Sequence, residues 1–251
     1  MLKLTSRQIA LIAVFAALYY ILSLISPHIP AIGFADIKIS LEALIASVFG
    51  ILLGPYLGFL AAFMGAFVAW VLPPGSMSPL GAPFLLAPAL NALVTGFIYY
   101  KKWKYAFLTM LVMIVAFPLL PPSQPLTEFG HVGILVIWDK IIALLLIIPT
   151  IKFAKRLSSS QKLIPVLFFL LAYIGNQADN MWGSAVFAVP IVYNGIYGLN
   201  IEFVRFLFTV SPLAYPAIRI IQAIVGSIIA VPLVSRLGKS GWIWHEETII
   251  N

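Results

Sequence analysis

Long apolar stretches run through the whole chain and are separated by short segments rich in proline, glycine and basic residues. A helix needs about 20 predominantly apolar residues to cross a bilayer, because it rises only about 1.5 Å per residue. The pattern predicts eight spans, at about residues 8–26, 38–53, 56–72, 84–100, 105–120, 132–151, 163–190 and 211–235. We therefore expect an all-α fold, a polytopic integral membrane helical bundle.

Composition agrees with this interpretation. Of the 251 residues, 62% are hydrophobic and 9% are charged, whereas a soluble domain carries about 25% charged residues. The first apolar stretch follows Lys3 and Arg7 as a signal peptide would, but no small-residue cleavage site follows it, and we interpret it as a retained helix. No linker or low-complexity segment divides the sequence, so we expect a single transmembrane domain over residues 1–251.

The basic residues predict the orientation of the bundle. Cytoplasmic segments of membrane proteins carry an excess of Lys and Arg. Most of the 15 basic residues fall in segments that eight crossings place on one side, namely Lys3, Arg7, Lys101, Lys102, Lys104, Lys152, Lys155, Arg156, Lys162, Arg236 and Lys239. We therefore expect a plasma-membrane protein with both termini in the cytoplasm, and topology explains the net charge of +7 better than a nucleic-acid partner does.

Two loops on the predicted outer side, residues 73–83 and 118–125, are rich in proline and poor in charge. Proline fixes φ and removes a backbone donor, so such loops are stiff without regular structure. Two interpretations stay open for each loop, which is either a lid over an outward-facing pocket or an ordinary turn between helices.

Three local motifs are informative together. Ala13 and Ala17, with Ala10 close by, form a face of small residues on the first predicted helix, and such faces mark helix contacts in lipid. Gly54-Pro55 makes a sharp turn between two apolar segments. The segment from Asn176 to Trp182 combines amide side chains with an indole near the predicted outer end of a span.

In these motifs the chain resembles the substrate-binding S component of energy-coupling-factor (ECF) vitamin transporters. The resemblance implies that the face of Ala10, Ala13 and Ala17 docks on a transmembrane coupling subunit, which works with two ATPase subunits. It also implies capture of a small organic nutrient, such as a vitamin or its precursor, from the outer face. Most S components have six helices, so a six-helix core with an inserted hairpin at about residues 105–151 is expected.

Polar residues inside the predicted spans define a candidate substrate-binding site. A vitamin-sized heterocycle requires a few hydrogen-bonding groups and a stacking face in a mostly apolar pocket. The candidates are Asp179, Asn180, Trp182, Arg219, Asn176 and Asn91. For Arg219 an internal ion pair with Asp179 or Asp139 is the alternative to a bound carboxylate or phosphate. For Asn91 a hydrogen bond between helices is the more common role.

Three further ionisable residues fall inside the predicted spans, namely Glu42, Asp139 and Lys140. Charged residues are costly there and face a cavity or one another. Because adjacent residues point to different faces of a helix, we expect that Asp139 and Lys140 do not pair. Trp138 and Lys140 are instead expected to anchor their span at the membrane interface.

The sequence offers little support for an enzyme. Cysteine is absent, the three histidines are far apart, and neither a His-Glu-x-x-His motif nor a glycine-rich nucleotide loop is present. We expect no catalytic residue, no metal site, no cofactor and no nucleic-acid partner, but contact with membrane lipid. Two other function classes stay open: a self-sufficient secondary transporter or small channel, and a membrane scaffold whose polar residues are purely structural.

Overall fold

The computed structural model describes residues 4–25, 28–31, 34–40, 44–73, 75, 77–210, 212–237 and 248–250. Within these ranges the α-helices are α1 (Ser6–Ile25), α2 (Ile45–Leu53), α3 (Pro55–Val71), α4 (Ala87–Tyr99), α5 (Trp103–Ala116), α6 (Leu126–Ser158), α7 (Ile164–Phe187), α8 (Ile201–Val210) and α9 (Ala214–Leu237). A short antiparallel hairpin of β1 (His28–Ala31) and β2 (Phe34–Ser40) lies between α1 and α2.

The predicted class of fold, a helical membrane bundle, is confirmed. Four stretches of the described chain are long and apolar enough to cross a membrane, namely Ser6–Ile25, Ala82–Tyr99, Leu126–Ser158 and Ala214–Leu237. The stretches Pro55–Val71 and Trp103–Leu119 are apolar but shorter. The number of eight crossings stays a prediction.

The observed elements differ from the predicted spans in two places. The span predicted at 38–53 includes the end of β2, and its helical part, α2, begins only at Ile45. Between the spans predicted at 163–190 and 211–235 the structure has an extra helix, α8, which follows a π-helical turn at Ile191–Ile196. Glu42 and Ser76 lie outside the described residues.

The predicted turn at Gly54-Pro55 is confirmed. Gly54 ends α2 and precedes α3, and its φ of 83° lies in the left-handed region, which glycine adopts without a steric penalty. Pro55 occupies the first helical position of α3, where its missing N–H costs no hydrogen bond. A Cβ on Gly96 of α4 would lie 2.7 Å from the backbone of Pro55, so the absence of a side chain lets α4 approach this turn closely.

Helix α7 lies at the centre of the bundle and packs against α4, α6 and α9. Its residues from Leu171 to Met181 are all buried. Helix α1 lies at the periphery and packs on α3. Buried Ala16 and Tyr19 of α1 meet Gly65 of α3, where a Cβ would lie 2.5 Å from the Tyr19 side chain.

Apart from the short α8, the helices from α2 onwards are joined by short connections at two ends of the bundle. The basic end contains the α4–α5 turn with Lys101 and Lys102 and the α6–α7 turn with Lys162. The loop end contains the two proline-rich segments, where short 3₁₀ turns at Ala82–Phe84, Phe117–Leu119 and Pro121–Ser123 replace longer structure.

Side chains of the α7–α9 region hold both proline-rich segments at the loop end. The Tyr197 hydroxyl donates a hydrogen bond of 2.7 Å to the carbonyl of Leu80. Arg205 of α8 donates to the carbonyls of Pro122, at 3.3 Å, and of Gln124, at 2.7 Å. The Arg205 guanidinium also lies 3.3 Å from the centroid of the Phe129 ring, which is a cation–π contact.

Candidate functional site

The polar residues of α7 occupy the half of the helix that leads to the loop end. The first half, from Ile164 to Ile174, is almost entirely apolar, whereas Asn176, Gln177, Asp179 and Asn180 follow within two turns and are all buried. At about 100° per residue, Asn176, Asp179 and Asn180 lie within about 100° of one another around the helix axis. The segment that the sequence predicted as densest in polar groups therefore presents three of them to one sector of the bundle.

Asp179 and Arg219 form a buried ion pair between α7 and α9. Arg219 Nη2 lies 3.0 Å from Asp179 Oδ1, and both side chains are less than one-tenth exposed. Arg219 Nη1 also donates a hydrogen bond of 2.8 Å to Gln222 Oε1, one turn further along α9. The internal pair that the sequence left open as an alternative for Arg219 is thus observed with Asp179.

Asn91 connects α4 to α7. Its Nδ2 donates a hydrogen bond of 2.9 Å to Asn176 Oδ1, and its Oδ1 accepts one of 3.3 Å from Thr95 Oγ1. Gly175 makes this contact possible, because a Cβ there would collide with both Asn91 Oδ1 and Thr95 Oγ1. Asn91 and Asn176 are fully buried, so the hydrogen bond lies in the interior of the bundle.

Several buried polar atoms of this region have no hydrogen-bond partner among the described residues. Five are donors, namely Asn176 Nδ2, Gln177 Nε2, Asn180 Nδ2, Trp182 Nε1 and Arg219 Nε, and two are acceptors, namely Gln177 Oε1 and Asp179 Oδ2. Leaving a buried donor or acceptor unpaired costs about 1–3 kcal/mol per group. A concentration of such atoms on α7 and α9 is what a binding site for a polar molecule requires.

The prediction that Asp139 and Lys140 do not pair is wrong. Lys140 Nζ lies 2.8 Å from Asp139 Oδ1, and both side chains are almost completely buried. The stem of lysine is long and flexible enough to return to the preceding residue, and an unpaired charge at this depth is far more costly than the constrained geometry. Because of its burial, Lys140 is also not the interfacial anchor that the sequence suggested. Trp138 donates its Nε1–H to the carbonyl of Pro212 at 3.2 Å.

The two ion pairs lie on helices that pack around α7. Helix α6, which carries Asp139 and Lys140, packs against α7, and α7 in turn packs against α9, which carries Arg219. Four residues of this region were not among the site residues predicted from the sequence, namely Asp139, Lys140, Gln177 and Gln222. The signal for Gln222 was its spacing of three residues from Arg219, which places the two side chains on one face of α9.

The residues of the predicted docking face lie on the exposed side of α1. Ala10, Ala13 and Ala17 are exposed, whereas Ala16 is buried against α3. Only 17% of the apolar stretch of α1 is buried in the bundle, compared with 33–61% for the three other long apolar stretches. The protein therefore leaves most of this helix for lipid or for another protein.

Among the described residues, no group of three or more His, Asp or Glu side chains is arranged to hold a metal ion. The polar region instead consists of amides, an indole and two ion pairs. Such groups bind and orient a small molecule through hydrogen bonds, and they offer no activated nucleophile.

Comparison with known proteins shows similarity to one family over the first part of the chain. The family model described as the S component of an ECF-type riboflavin transporter matches residues 3–120. An uncharacterised protein of Methanocaldococcus jannaschii is 30% identical over 149 residues, which are 59% of this chain and 48% of that protein. The chain thus spans about half the length of this curated relative. No solved structure matches the chain.

The family match confirms the resemblance to S components predicted from the sequence. Together with the long apolar helices, the match supports a multi-pass membrane protein, and S components as a class are not enzymes. The match covers α1 to α5, including the alanines of α1, the turn at Gly54 and Asn91. The polar residues of α6, α7 and α9 lie beyond it.

Proposed function

We propose that this protein is the substrate-capture subunit of an energy-coupling-factor importer and binds a small organic nutrient from the loop end of the bundle. The observation that carries the proposal is the group of buried, unpartnered polar atoms on α7 and α9. In a membrane scaffold such atoms would be paired within the protein, because each unpaired one lowers stability. In a capture subunit they are kept available for the substrate.

The position of the group supports entry from the loop end. Trp182 lies five residues before the last residue of α7. A Cβ built on the next residue, Gly183, would lie 3.8 Å from the side chain of Phe84, which directly follows the first proline-rich segment. The loops held by Tyr197 and Arg205 thus lie above the polar residues. By the distribution of basic residues the loop end faces outwards, and both termini lie in the cytoplasm.

Riboflavin is our candidate substrate, because the matching family model is described as a riboflavin transporter component. Its ring system is flat and carries carbonyl oxygens and ring nitrogens as acceptors, together with one N–H donor. The five unpartnered donors of α7 and α9 complement the acceptors of the ring, and the free oxygens of Gln177 and Asp179 complement its N–H. The indole of Trp182 offers a face on which a flat ring stacks.

The proposed partners are a transmembrane coupling subunit and two ATPase subunits. The exposed alanines of α1 are the proposed docking face, since small residues allow the close backbone approach on which helix association in lipid depends. The chain itself carries no nucleotide-binding loop, so ATP hydrolysis is assigned to the partners.

The direct test is binding to the purified protein in detergent. Riboflavin is titrated against the protein, and quenching of flavin fluorescence is followed together with the thermal midpoint of unfolding. We expect saturable quenching with one site per chain and a midpoint that rises with ligand concentration, because a ligand that binds only the folded state stabilises it.

Thiamine and biotin, two nutrients of different chemistry, serve as controls for specificity in the same titration. Stabilisation by one of these nutrients and not by riboflavin would support the capture function but assign it a different substrate. A self-sufficient transporter would be favoured by two results together. None of the three nutrients stabilises the protein, and cells that lack ECF ATPases still show uptake through it.

A further inference from the structure

Two buried ion pairs lie on helices that pack against one another, one on α6 and one between α7 and α9. Lys140 Nζ lies 2.8 Å from Asp139 Oδ1, and Arg219 Nη2 lies 3.0 Å from Asp179 Oδ1. All four side chains are at least nine-tenths buried. Each pair consists of one acid and one base, so their formal charges sum to zero.

Within the described chain, the unpartnered atoms in and around these pairs include both donors and acceptors. The donors are the amide groups of Asn176, Gln177 and Asn180, together with Trp182 Nε1 and Arg219 Nε, and the acceptors include Gln177 Oε1, Asp179 Oδ2 and Asp139 Oδ2. A molecule that satisfies these atoms must offer both acceptors and donors, since every buried donor requires a lone pair and every buried acceptor requires a hydrogen. None of these hydrogen bonds requires the molecule to carry a net charge.

A ligand with a net charge would disturb the balance between the two pairs. An anion would attract Lys140 and Arg219 away from their carboxylates, and a cation would do the same to Asp139 and Asp179. In a buried site such interactions are strong, because the effective dielectric constant is well below that of water. A neutral ligand leaves both pairs intact.

We propose that the Asp139–Lys140 pair of α6 is a specificity-determining part of the binding site, which makes the site selective for an uncharged molecule that carries both hydrogen-bond acceptors and donors. This inference rests on the proposed capture function. It goes further by including a helix that lies outside the matched part of the chain and by assigning a role to its charges. The pair selects against charged derivatives of the nutrient.

The test compares two probes that share the same ring system, neutral riboflavin and anionic riboflavin 5′-phosphate. Dissociation constants are measured for the wild-type protein and for the variants Asp139→Asn and Lys140→Met. The measured quantity is the ratio of the dissociation constant for the phosphate to that for riboflavin. Because both probes are measured on the same variant, a general loss of folded protein cancels in the ratio.

We expect the wild-type ratio to be at least about tenfold in favour of riboflavin. Asp139→Asn leaves one excess positive charge and should lower the ratio by about tenfold or more. Lys140→Met leaves one excess negative charge and should raise it. The double variant Asp139→Asn/Lys140→Met restores neutrality and should return the ratio towards the wild-type value, and it is the matched control for damage to the fold.

A ratio that is unchanged in both single variants would overturn the proposal. If riboflavin does not bind, a second measurement tests the proposal. The purified wild-type protein is denatured, and the molecule that it releases is identified by mass spectrometry. A released molecule without net charge at pH 7 supports the proposal even where the substrate is not a flavin. A released anion or cation, or neither a released molecule nor any flavin binding, overturns it.

Discussion

The guanidinium of Arg219 lies 3.0 Å from the carboxylate of Asp179, although the two residues are 40 positions apart in the sequence and belong to different helices. This pair holds α9 to α7 in the interior of the bundle. The same guanidinium donates to Gln222, so two of its nitrogens are occupied while Nε has no partner among the described residues. Arg219 therefore stabilises the packing of α9 on α7, and its Nε–H is free to bind a ligand.

The first prediction concerns the stability provided by this pair. Arg219→Ala leaves the Asp179 carboxylate buried without its partner and should lower the free energy of unfolding by about 3–5 kcal/mol. The double variant Arg219→Ala/Asp179→Ala leaves no lone charge and should be more stable than Arg219→Ala alone. Thermal unfolding in detergent measures both differences. Arg156→Ala, an exposed arginine at the basic end, is the control and should not change the midpoint.

The second prediction concerns contact with the substrate. Asn180→Ala and Trp182→Ala each remove an unpartnered donor, and each should weaken binding about tenfold to a hundredfold, the range that a lost hydrogen bond of about 1–3 kcal/mol implies. Folded yield should change little, because neither donor makes a hydrogen bond within the described protein. Isothermal titration of the ligand checks the affinity.

Two matched variants accompany that titration. Asn194→Ala changes an exposed asparagine whose Nδ2 donates to Leu199, and Trp103→Ala changes a partly buried tryptophan at the basic end. Both should retain wild-type affinity. Equal loss of affinity in these controls and in the two site variants would show that the measured effect is unfolding, and would remove the support for the site.

The third prediction concerns the partner. Ala13→Trp combined with Ala17→Trp enlarges the exposed face of α1 and should prevent co-purification of the coupling subunit and abolish uptake, while ligand binding is retained. The reason is that bulky side chains keep helix backbones apart in lipid. Ala217→Trp is the matched change at an exposed alanine of α9 and should leave assembly intact. Normal uptake by the double variant would refute the docking face.

The fourth prediction concerns orientation. The chain has no cysteine, so single cysteines are introduced without removing others. Lys155→Cys and Lys162→Cys at the basic end should resist an impermeant thiol reagent in intact cells, whereas Met77→Cys at the loop end, which is 55% exposed, should react. Permeabilised cells should show labelling of all three variants. Labelling of the basic end in intact cells contradicts the predicted topology.

Patterns of hydropathy predicted the class of fold but not every element. Ile37 and Ile39 alternate with Asp36, Lys38 and Ser40, which is the period of a strand, and the structure forms β2 there. A window long enough to detect a span averages this alternation away. Helix α8 was missed for a related reason, since its apolar positions Ile201, Val204 and Leu207 follow a helical period over only ten residues.

Pairing between distant residues was the part of the site that the sequence did not determine. The candidate residues of α7 were predicted as a group because they are consecutive, but the choice of Asp179 over Asp139 as partner of Arg219 depends on how α6, α7 and α9 pack. Helix geometry led to the prediction that Asp139 and Lys140 do not pair. That prediction failed because the argument assumed short side chains. Burial reverses the conclusion, because the cost of a lone charge exceeds the cost of bending a lysine stem.

The balance of charge in the interior has an electrical consequence. Moving one elementary charge through a membrane potential of 100 mV involves about 2.3 kcal/mol. Asp139 with Lys140 and Asp179 with Arg219 form two closed pairs, so their four charges together perform no net work when this region shifts along the membrane normal. With an uncharged ligand bound, displacement of the polar core is neither driven nor opposed by the resting potential of the cell.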